Sequence, residues 1–425
     1  MAEKINVPEI RFAGFIDPWE QRKLGDCFDF LHNNTLSRAD LNSESGSARN
    51  IHYGDILIKF GDCLGLDSGK LPFADDESIL SKYANSTLRI GDVIFADTAE
   101  DESAGKCVEL VKLPNEPVIS GLHTIPARPK FPFGSGYLGH YLNAPAYHDQ
   151  LLPLMQGIKV VSISKTALQD TQICFPTALE QSAIGTSLNA LDSLITLHQR
   201  KFEKLVQLKK SMLDKMFPKP GERFPEIRFA GFTDPWEQRK LGNCGTAYGG
   251  LTGKTKEDFG HGNARFIPYT NVFDNPLADT KRLEAVEIDS SQNQVAYGDA
   301  FFTVSSETPD EVGMSSVWLS DQEDVYLNSF CFGYRQDSTF DPHYLAYMLR
   351  SRSVRSNLTL LAQGISRFNI SKNKVMELSV PVPSAVEQKQ LGQYFTKLDS
   401  LITLHQRKLE LLRNTKKSLL DRMFV

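Results

Sequence analysis

Two segments of the chain, residues 177–217 and 384–425, place apolar residues at alternating spacings of three and four. This is the heptad pattern of a helix whose apolar stripe lies against another helix. Each segment follows a proline and opens on Thr177 or Ser384, with Glu180 or Glu387 three positions later, a pattern typical of a capped helix start. The sequence therefore predicts two long helices, each about 60 Å in length.

The predicted interface between these helices consists of apolar residues that occur in both segments. They are Leu191, Ile195, Phe202, Leu205, Leu398, Ile402, Leu409 and Leu412. Two stripe positions are polar in both copies, His198 with His405 and Lys209 with Lys416. Such residues fix the register of a helix pair, which we favour over metal binding by the histidines. Because each stripe needs a partner, we expect the two helices to pair with each other as an antiparallel coiled coil.

The helices belong to a longer internal duplication. Residues 8–15 (PEIRFAGF) and 17–25 (DPWEQRKLG) return at 225–232 and 234–242, and residues 191–201 return letter for letter at 398–408. The chain is therefore two homologous halves related by a pseudo-two-fold. The expected division is a first recognition domain at 1–176, a helix at 177–217, a second recognition domain at 218–383 and a helix at 384–425.

Between the repeated parts lie two blocks, residues 26–155 and 243–362, that share little sequence. Short apolar runs bounded by Gly-Asp turns predict strands, and residues 344–361 have helical spacing. The expected fold class is α+β with mixed strands and helices, one globular block before each long helix. We expect Trp19 and Trp236, in the repeated motif, to anchor each block to the shared scaffold.

Composition is that of a globular protein, with 41% hydrophobic and 23% charged residues. No apolar run is long enough for a membrane span, the N-terminus lacks a signal core, and six scattered cysteines fit a reducing compartment, so a cytoplasmic location is expected. The formal net charge of −5 does not by itself favour nucleic acid. Both blocks are acidic, 10 − 18 = −8 and 9 − 16 = −7, whereas the helices are basic, 6 − 4 = +2 for 178–217 and 8 − 4 = +4 for 385–425.

Motifs of catalysis are missing from the sequence. Residues 249–255 (GGLTGKT) resemble a phosphate loop, but Tyr248 stands where the first glycine is needed. No serine-hydrolase, zinc-protease or dinucleotide fingerprint occurs, and the acidic run at 97–102 is typical of a solvated loop. The sequence therefore predicts neither a catalytic residue nor a metal site.

Cations, amides and an aromatic side chain in the blocks and beside them are the candidate DNA contacts. Arginine, lysine and asparagine read base edges or hold phosphates. The candidates are Arg49, Lys59, Lys159, Lys254, Lys256, Arg265, Tyr269, Asn271, Arg367 and Asn369.

The whole layout resembles the DNA-specificity subunit of type I restriction-modification systems. The resemblance rests on residues 19–25 with their copy at 236–242, on the helix starts at 176–181 (PTALEQ) and 383–388 (PSAVEQ), and on the helix ends at 209–217 and 416–424. Residues 364–369 (GISRFN) also match the family. The first half has GIKVVS at 157–162, which loses that Arg and Asn.

The resemblance implies a non-catalytic subunit that recognises a bipartite, asymmetric site in double-stranded DNA. It implies two methyltransferase subunits docked on the repeated helical regions, and two restriction subunits that join them. S-adenosylmethionine, ATP and magnesium would belong to those partners, with no cofactor on this chain. The acidic blocks leave an alternative open, a coiled-coil scaffold carrying two protein-binding domains.

Overall fold

The computed structural model describes residues 6–65, 71–76 and 78–425. The fold is mixed α/β, as the apolar pattern predicts. The chain forms two compact units. The first comprises residues 1–199 and 407–425, and the second comprises residues 200–406. Each unit thus combines one globular block with part of both long helices.

Two helices of 38 residues dominate the helical content, Ala178–Lys215 and Ala385–Arg422. The sequence predicts them at 177–217 and 384–425. The shorter helices of the first unit are Leu24–Cys27, Tyr53–Ile58, Ile79–Tyr83, Tyr137–Asn143, Pro145–His148 and Lys165–Asp170. Those of the second unit are Tyr269–Asp274, Pro342–Leu349, Arg352–Leu360 and Lys372–Met376. Among the described residues, none of the helices combines enough length with enough hydrophobicity to span a bilayer.

The first unit contains a five-stranded sheet in the order Phe28–Phe30, Thr124–Pro129, Val93–Ala96, Cys107–Leu110 and Cys63–Leu64. A four-stranded sheet follows the order Val118–Ser120, Arg49–Ile51, Phe73–Ala74 and Leu41–Asn42. Two antiparallel ribbons complete the unit. Glu20–Lys23 pairs with Gln172–Phe175, and Thr98–Ala99 pairs with Val161–Ser162.

The second unit contains a four-stranded sheet in the order Gly245–Gly249, Cys331–Gln336, Ala300–Thr303 and Ser315–Val317. A three-stranded sheet has Phe259–Ile267 between Glu284–Val286 and Val325–Leu327. Its two ribbons correspond to those of the first unit. Glu237–Lys240 pairs with Ser379–Val382, and Ser305–Ser306 pairs with Phe368–Asn369.

The repeated tryptophans lie at the centre of each core, and this confirms their expected anchoring role. Trp19 is buried and packs edge-on against Tyr137 and Phe424. Trp236 is buried in the same way against Tyr344 and Phe217. In each unit the tryptophan therefore joins a helix of the block to the residues that directly follow a long helix.

The glutamates at the start of the long helices have partners that the capping pattern does not predict. Glu180 is fully buried and accepts hydrogen bonds from Nε and Nη2 of Arg11, at 2.6 and 2.8 Å. Glu387 is bound in the same way by Arg228, at 2.7 and 2.8 Å. These bidentate pairs connect the repeated N-terminal motif of each half to its helix.

The apolar stripe of the long helices is the side that is covered. All eight predicted interface residues are buried or half-buried, and Leu398 and Leu409 are the most enclosed. In the first unit, Lys416 near the end of the second long helix pairs with Asp192 near the start of the first, at 2.6 Å. In the second unit, Lys209 pairs with Asp399 at 2.5 Å, the same contact made by the repeated positions.

Candidate nucleic-acid interface

One exposed pocket of about 390 Å³ in the second unit collects side chains suited to a base. Tyr269 stacks on Phe273 with the ring centres 5.9 Å apart, and its hydroxyl donates to the carbonyl oxygen of Ser305 at 2.9 Å. Burial raises the pKa of Tyr269, so the phenol remains a donor at neutral pH. Phe330 is 61% exposed on the pocket wall. The aromatic rings, hydroxyl groups and charged groups of the pocket are of the kinds that stack on bases and form hydrogen bonds with their edges.

Arg367 lies on the rim of the pocket, and its Nη2 donates to the Ser305 hydroxyl at 3.2 Å. Glu307 and Glu311 line the same pocket and bring negative charge to it. A guanidinium beside carboxylates offers both a donor fork for guanine and acceptors for the amino group of cytosine. Tyr269 and Arg367 are therefore the two predicted DNA contacts that the structure brings together.

A hairpin that carries a fully exposed isoleucine occurs in both units. In the first unit Gln156 and Ser162 exchange two backbone hydrogen bonds, and Ile158 between them is 99% exposed. In the second unit Gln363 and Asn369 do the same, and Ile365 is 97% exposed. Sequence reasoning missed these isoleucines as well as Phe330. The signal available for the former was a Gly-Ile pair kept in two otherwise unlike blocks.

Three further predicted contacts are exposed. Lys159 follows Ile158 at the turn of the first hairpin, and Asn369 ends the second hairpin. Lys256 begins a short helical turn, Lys256–Asp258, on the surface of the second unit. Their contact with DNA stays a prediction.

Two of the other candidates make hydrogen bonds within their own unit. Asn271 is fully buried and bonds the backbone at Asp279 and Arg282, so it shapes a loop rather than meeting a base. Arg265 donates to the carbonyl oxygens of Gly262 and Ala264 beside it.

The remaining three cations are held in ion pairs. Arg49 bonds Glu116 at 2.8 Å and lies 4.1 Å above the Phe73 ring, with 15% of its side chain exposed. Lys254 pairs with Asp289 at 2.8 Å, and Lys59 pairs with the buried Asp55 at 2.8 Å. These contacts stabilise loops and helix ends, and contact of the three cations with DNA stays a prediction.

A buried charge network in the first unit has the residue types of a metal site. His140 is fully buried, with Nδ1 3.0 Å from Asp62 and Nε2 4.0 Å from Asp192. The Lys416 ammonium lies 2.7 Å from Asp62 and 2.6 Å from Asp192, where a cation would be needed. Burial alone raises the pKa of Asp62, but the hydrogen bond with His140 and the charge of Lys416 outweigh it and lower the pKa to about 2. The network is therefore an ion-pair cluster that ties the second long helix, through Lys416, to Asp62 and to Asp192 of the first long helix.

The second unit has a simpler version of this network. Tyr347 stands where the repeat places His140, and its hydroxyl donates to Asp399 at 2.9 Å. Lys209 completes the pair on the other carboxylate oxygen of Asp399. One carboxylate, one phenol and one ammonium replace the four charged or polar groups of the first unit.

The long helices also expose apolar residues at repeated positions. Leu194 and Leu197 of the first helix are each 46% exposed. Leu401 and Leu404 of the second helix are 37% and 46% exposed. Because both copies keep these leucines on the uncovered side, each unit offers the same small apolar surface.

Comparison with known proteins places this fold among restriction-modification proteins. Residues 233–414 match the family described as the type I restriction modification DNA specificity domain. MjaX, a putative type I restriction enzyme specificity subunit of Methanocaldococcus jannaschii, is 22% identical over 95% of this chain and 92% of its own length. The MjaVIII specificity subunit of the same organism is 21% identical over 63% of this chain and 64% of its own.

The crystal structure of a type I restriction-modification S subunit from M. genitalium covers 99% of both chains with a TM-score of 0.56. At 14% sequence identity this likeness shows the fold alone. The resemblance that the repeated motifs predict is confirmed by the domain match and by the curated relatives. Residues 233–414 thus match the specificity domain, and nearly the whole chain is similar to a type I specificity subunit.

Proposed function

We propose that this chain recognises a bipartite, asymmetric DNA site on behalf of a type I restriction-modification complex. Its two blocks each read one half of the site, and the chain itself performs no chemistry. The single observation that carries the proposal is that the supports of the two units are alike while their outer surfaces differ. Two half-sites that differ in sequence and lie a fixed distance apart require different reading surfaces on similar supports.

The long helices set that separation in this proposal, as an antiparallel coiled coil with pseudo-two-fold symmetry. The ion pairs Lys416–Asp192 and Lys209–Asp399 support it, because each joins the end of one helix to the beginning of the other within one unit. A span of about 60 Å is long enough for half-sites one or two DNA turns of about 34 Å apart.

Two methyltransferase subunits dock on the repeated surfaces, and restriction subunits join through them. Identity of buried residues between the halves follows from packing alone, but residues 20–23 and 237–240 are identical although every one of them is exposed. Two equal surfaces, together with the exposed leucines of each helix, suit two copies of one partner. S-adenosylmethionine, ATP and magnesium are placed on the partners in this proposal.

Mapping methylated positions in host DNA, with and without the gene for this chain, tests the function directly. We expect methylation in two short elements separated by a constant gap, lost when the chain is absent. A protein-binding scaffold predicts no change in the methylation pattern. A single uninterrupted element would contradict the division into two reading blocks.

Substituting the exposed Lys256 by Gln should weaken binding to target and non-target DNA equally. An exposed lysine that neutralises one phosphate contributes about 0.9 to the slope of log affinity against log salt concentration. Titration of the chain with its methyltransferase at several salt concentrations measures that slope. The matched control is Lys254→Gln, because Asp289 already holds the Lys254 ammonium. An equal change in slope for the control would show that the loop as a whole, rather than Lys256, makes the contact.

Substituting Leu197 or Leu404 by Lys should remove one methyltransferase copy from the complex. A buried leucine contributes about 1.5–3 kcal/mol at an interface, and a lysine there adds a desolvation cost. Mass measurement of the assembled complex should give one copy for either variant and none for the double variant. The control is Leu411→Lys, since that 66% exposed leucine has no leucine counterpart in the other half. Two copies in every variant would exclude the helices as the docking surface.

A further inference from the structure

The two hairpins that carry Ile158 and Ile365 are built to the same plan. The stretches 156–169 and 363–376 correspond position by position, and each begins with Gln-Gly-Ile. Gly157 and Gly364 adopt φ angles of +120° and +145°, and a Cβ on either would collide with a carbonyl oxygen three residues on. The turn therefore depends on glycine in both units, and it presents the next residue to solvent.

The bases of the hairpins are anchored while the tips are free of packing. Ile163 and Ile370 are buried directly after each hairpin, and their amides donate to Asp97 and Val304 of the neighbouring strand region. By contrast, the isoleucines at the tips are 99% and 97% exposed. A rigid support with an exposed apolar tip occurs in each unit, and packing within the unit does not account for it.

Each hairpin stretch itself carries positive charge. Residues 156–169 contain Lys159 and Lys165 and no acidic residue, and residues 363–376 contain Arg367, Lys372 and Lys374 and no acidic residue. These stretches stand next to blocks with net charges of −8 and −7. Local cations beside a single apolar side chain suit a polyanion better than a protein surface, because protein contacts use contiguous apolar patches.

We propose that Ile158 and Ile365 are wedges, each of which enters the base stack of the DNA half-site read by its own unit. The inference rests on the proposed function and adds a role that base reading does not include. The two half-sites differ in sequence, so a feature shared by both units must contact what both half-sites have in common. Stacking against a base is tolerant of sequence, and apolar wedges that part a base step are an established way to kink or open a duplex.

The wedge also fits the task of the complex. A base inside a duplex is inaccessible to a methyltransferase until it leaves the stack, and unstacking costs a few kcal/mol. A side chain inserted at the adjacent step lowers that cost, with Lys159 or Arg367 on the flanking phosphates. Each half-site has its own wedge, as each has its own base to modify.

The test uses the full chain assembled with its methyltransferase and a duplex that carries the mapped target. 2-Aminopurine placed beside the modified position in each half-site reports unstacking by a rise in fluorescence. We expect Ile365→Ser to abolish most of the rise at one half-site and Ile158→Ser at the other, and each to weaken binding about tenfold, as loss of one buried isoleucine implies. Gly364→Ala, which cannot form the turn, should reproduce the effect of Ile365→Ser.

The matched control is Ile16→Thr. Ile16 is 84% exposed, and the other half of the chain has Thr233 at the same position, so this substitution should change neither the fluorescence nor the affinity. Wild-type behaviour of both serine variants would overturn the wedge and leave the proposed function intact. Loss of a methyltransferase copy from the serine variants would overturn it in favour of a protein contact. If the wild-type complex neither binds nor methylates a bipartite target, the proposed function fails and the wedge fails with it.

Discussion

Replacing residues 243–362 by the corresponding block of a related specificity subunit is expected to change one half of the methylated site and leave the other half unaltered. The block holds most of the pocket around Tyr269 and Ser305, with Arg367 just beyond its end, whereas its supports lie outside it, in Trp236 and the long helices. Replacing residues 26–155 should change the other half. Sequencing that detects methylated bases measures both outcomes.

The graft will fold only if it keeps the contacts by which the block holds its support. The Tyr344 hydroxyl donates to the carbonyl oxygen of Pro381 at 2.7 Å, and Tyr137 makes the equivalent bond to Cys174 at 2.8 Å. A graft with Tyr344→Phe, which lacks this hydrogen bond, is the matched control that separates a failure to fold from a failure to recognise DNA. A change in both halves of the site after one exchange would contradict independent reading by the two blocks, and no change in either would favour the scaffold.

Replacing Lys416 by Met is expected to destabilise the first unit by about 3 kcal/mol, because it removes the ammonium that pairs with the largely buried carboxylate of Asp62 and with Asp192. For a unit of this size that corresponds to a fall of roughly 5–10 °C in unfolding temperature. Calorimetry measures the loss of stability, and hydrogen exchange of the amides of residues 137–143 shows where in the unit it occurs. The control is Lys209→Met, which should cost about 1 kcal/mol because Tyr347 still donates to Asp399.

The loss of stability in the Lys416→Met variant should depend on pH. In the wild type the pKa of Asp62 is lowered from its ordinary value of 3.8 to about 2. The ionised carboxylate therefore stabilises the folded state at pH values above 3.8, and this contribution is lost as the pH falls toward about 2. Without Lys416, the hydrogen bond with His140 alone opposes the effect of burial on Asp62, so the stability difference between variant and wild type should shrink as the pH falls from 7 to 4. Equal stability differences across that range would contradict the role given to the Lys416–Asp62 pair.

Periodicity and repetition were the strong signals in the sequence. The heptads place both long helices within three residues of their observed ends at Ala178–Lys215 and Ala385–Arg422. Identity between the halves marks Trp19 and Trp236 as anchors, which their burial confirms. Both inferences need only local spacing or self-comparison, and so no knowledge of distant contacts is required.

The candidate contacts were harder to predict because a cation in a sequence does not reveal its partner. Arg350 illustrates the difficulty, since its guanidinium is buried and donates to the carbonyl oxygens of Ser315 and Val272, and burial lowers its pKa to about 10. Arg49, Lys254 and Asn271 likewise have partners that the sequence does not indicate. Their partners Glu116, Asp289 and Asp279 lie 67, 35 and 8 positions away.

The amino-acid sequence by itself determined the duplication, the two long helices, the mixed α/β class and the kinship with specificity subunits, because repeats and heptads are properties of order along the chain. Only the tertiary structure decided which charged side chains form ion pairs within the fold and which stay exposed to a ligand. It buried Lys416 between two carboxylates and left Ile158 and Ile365 in solvent. Burial and pairing depend on residues brought together from distant positions, and a one-dimensional pattern does not contain that information.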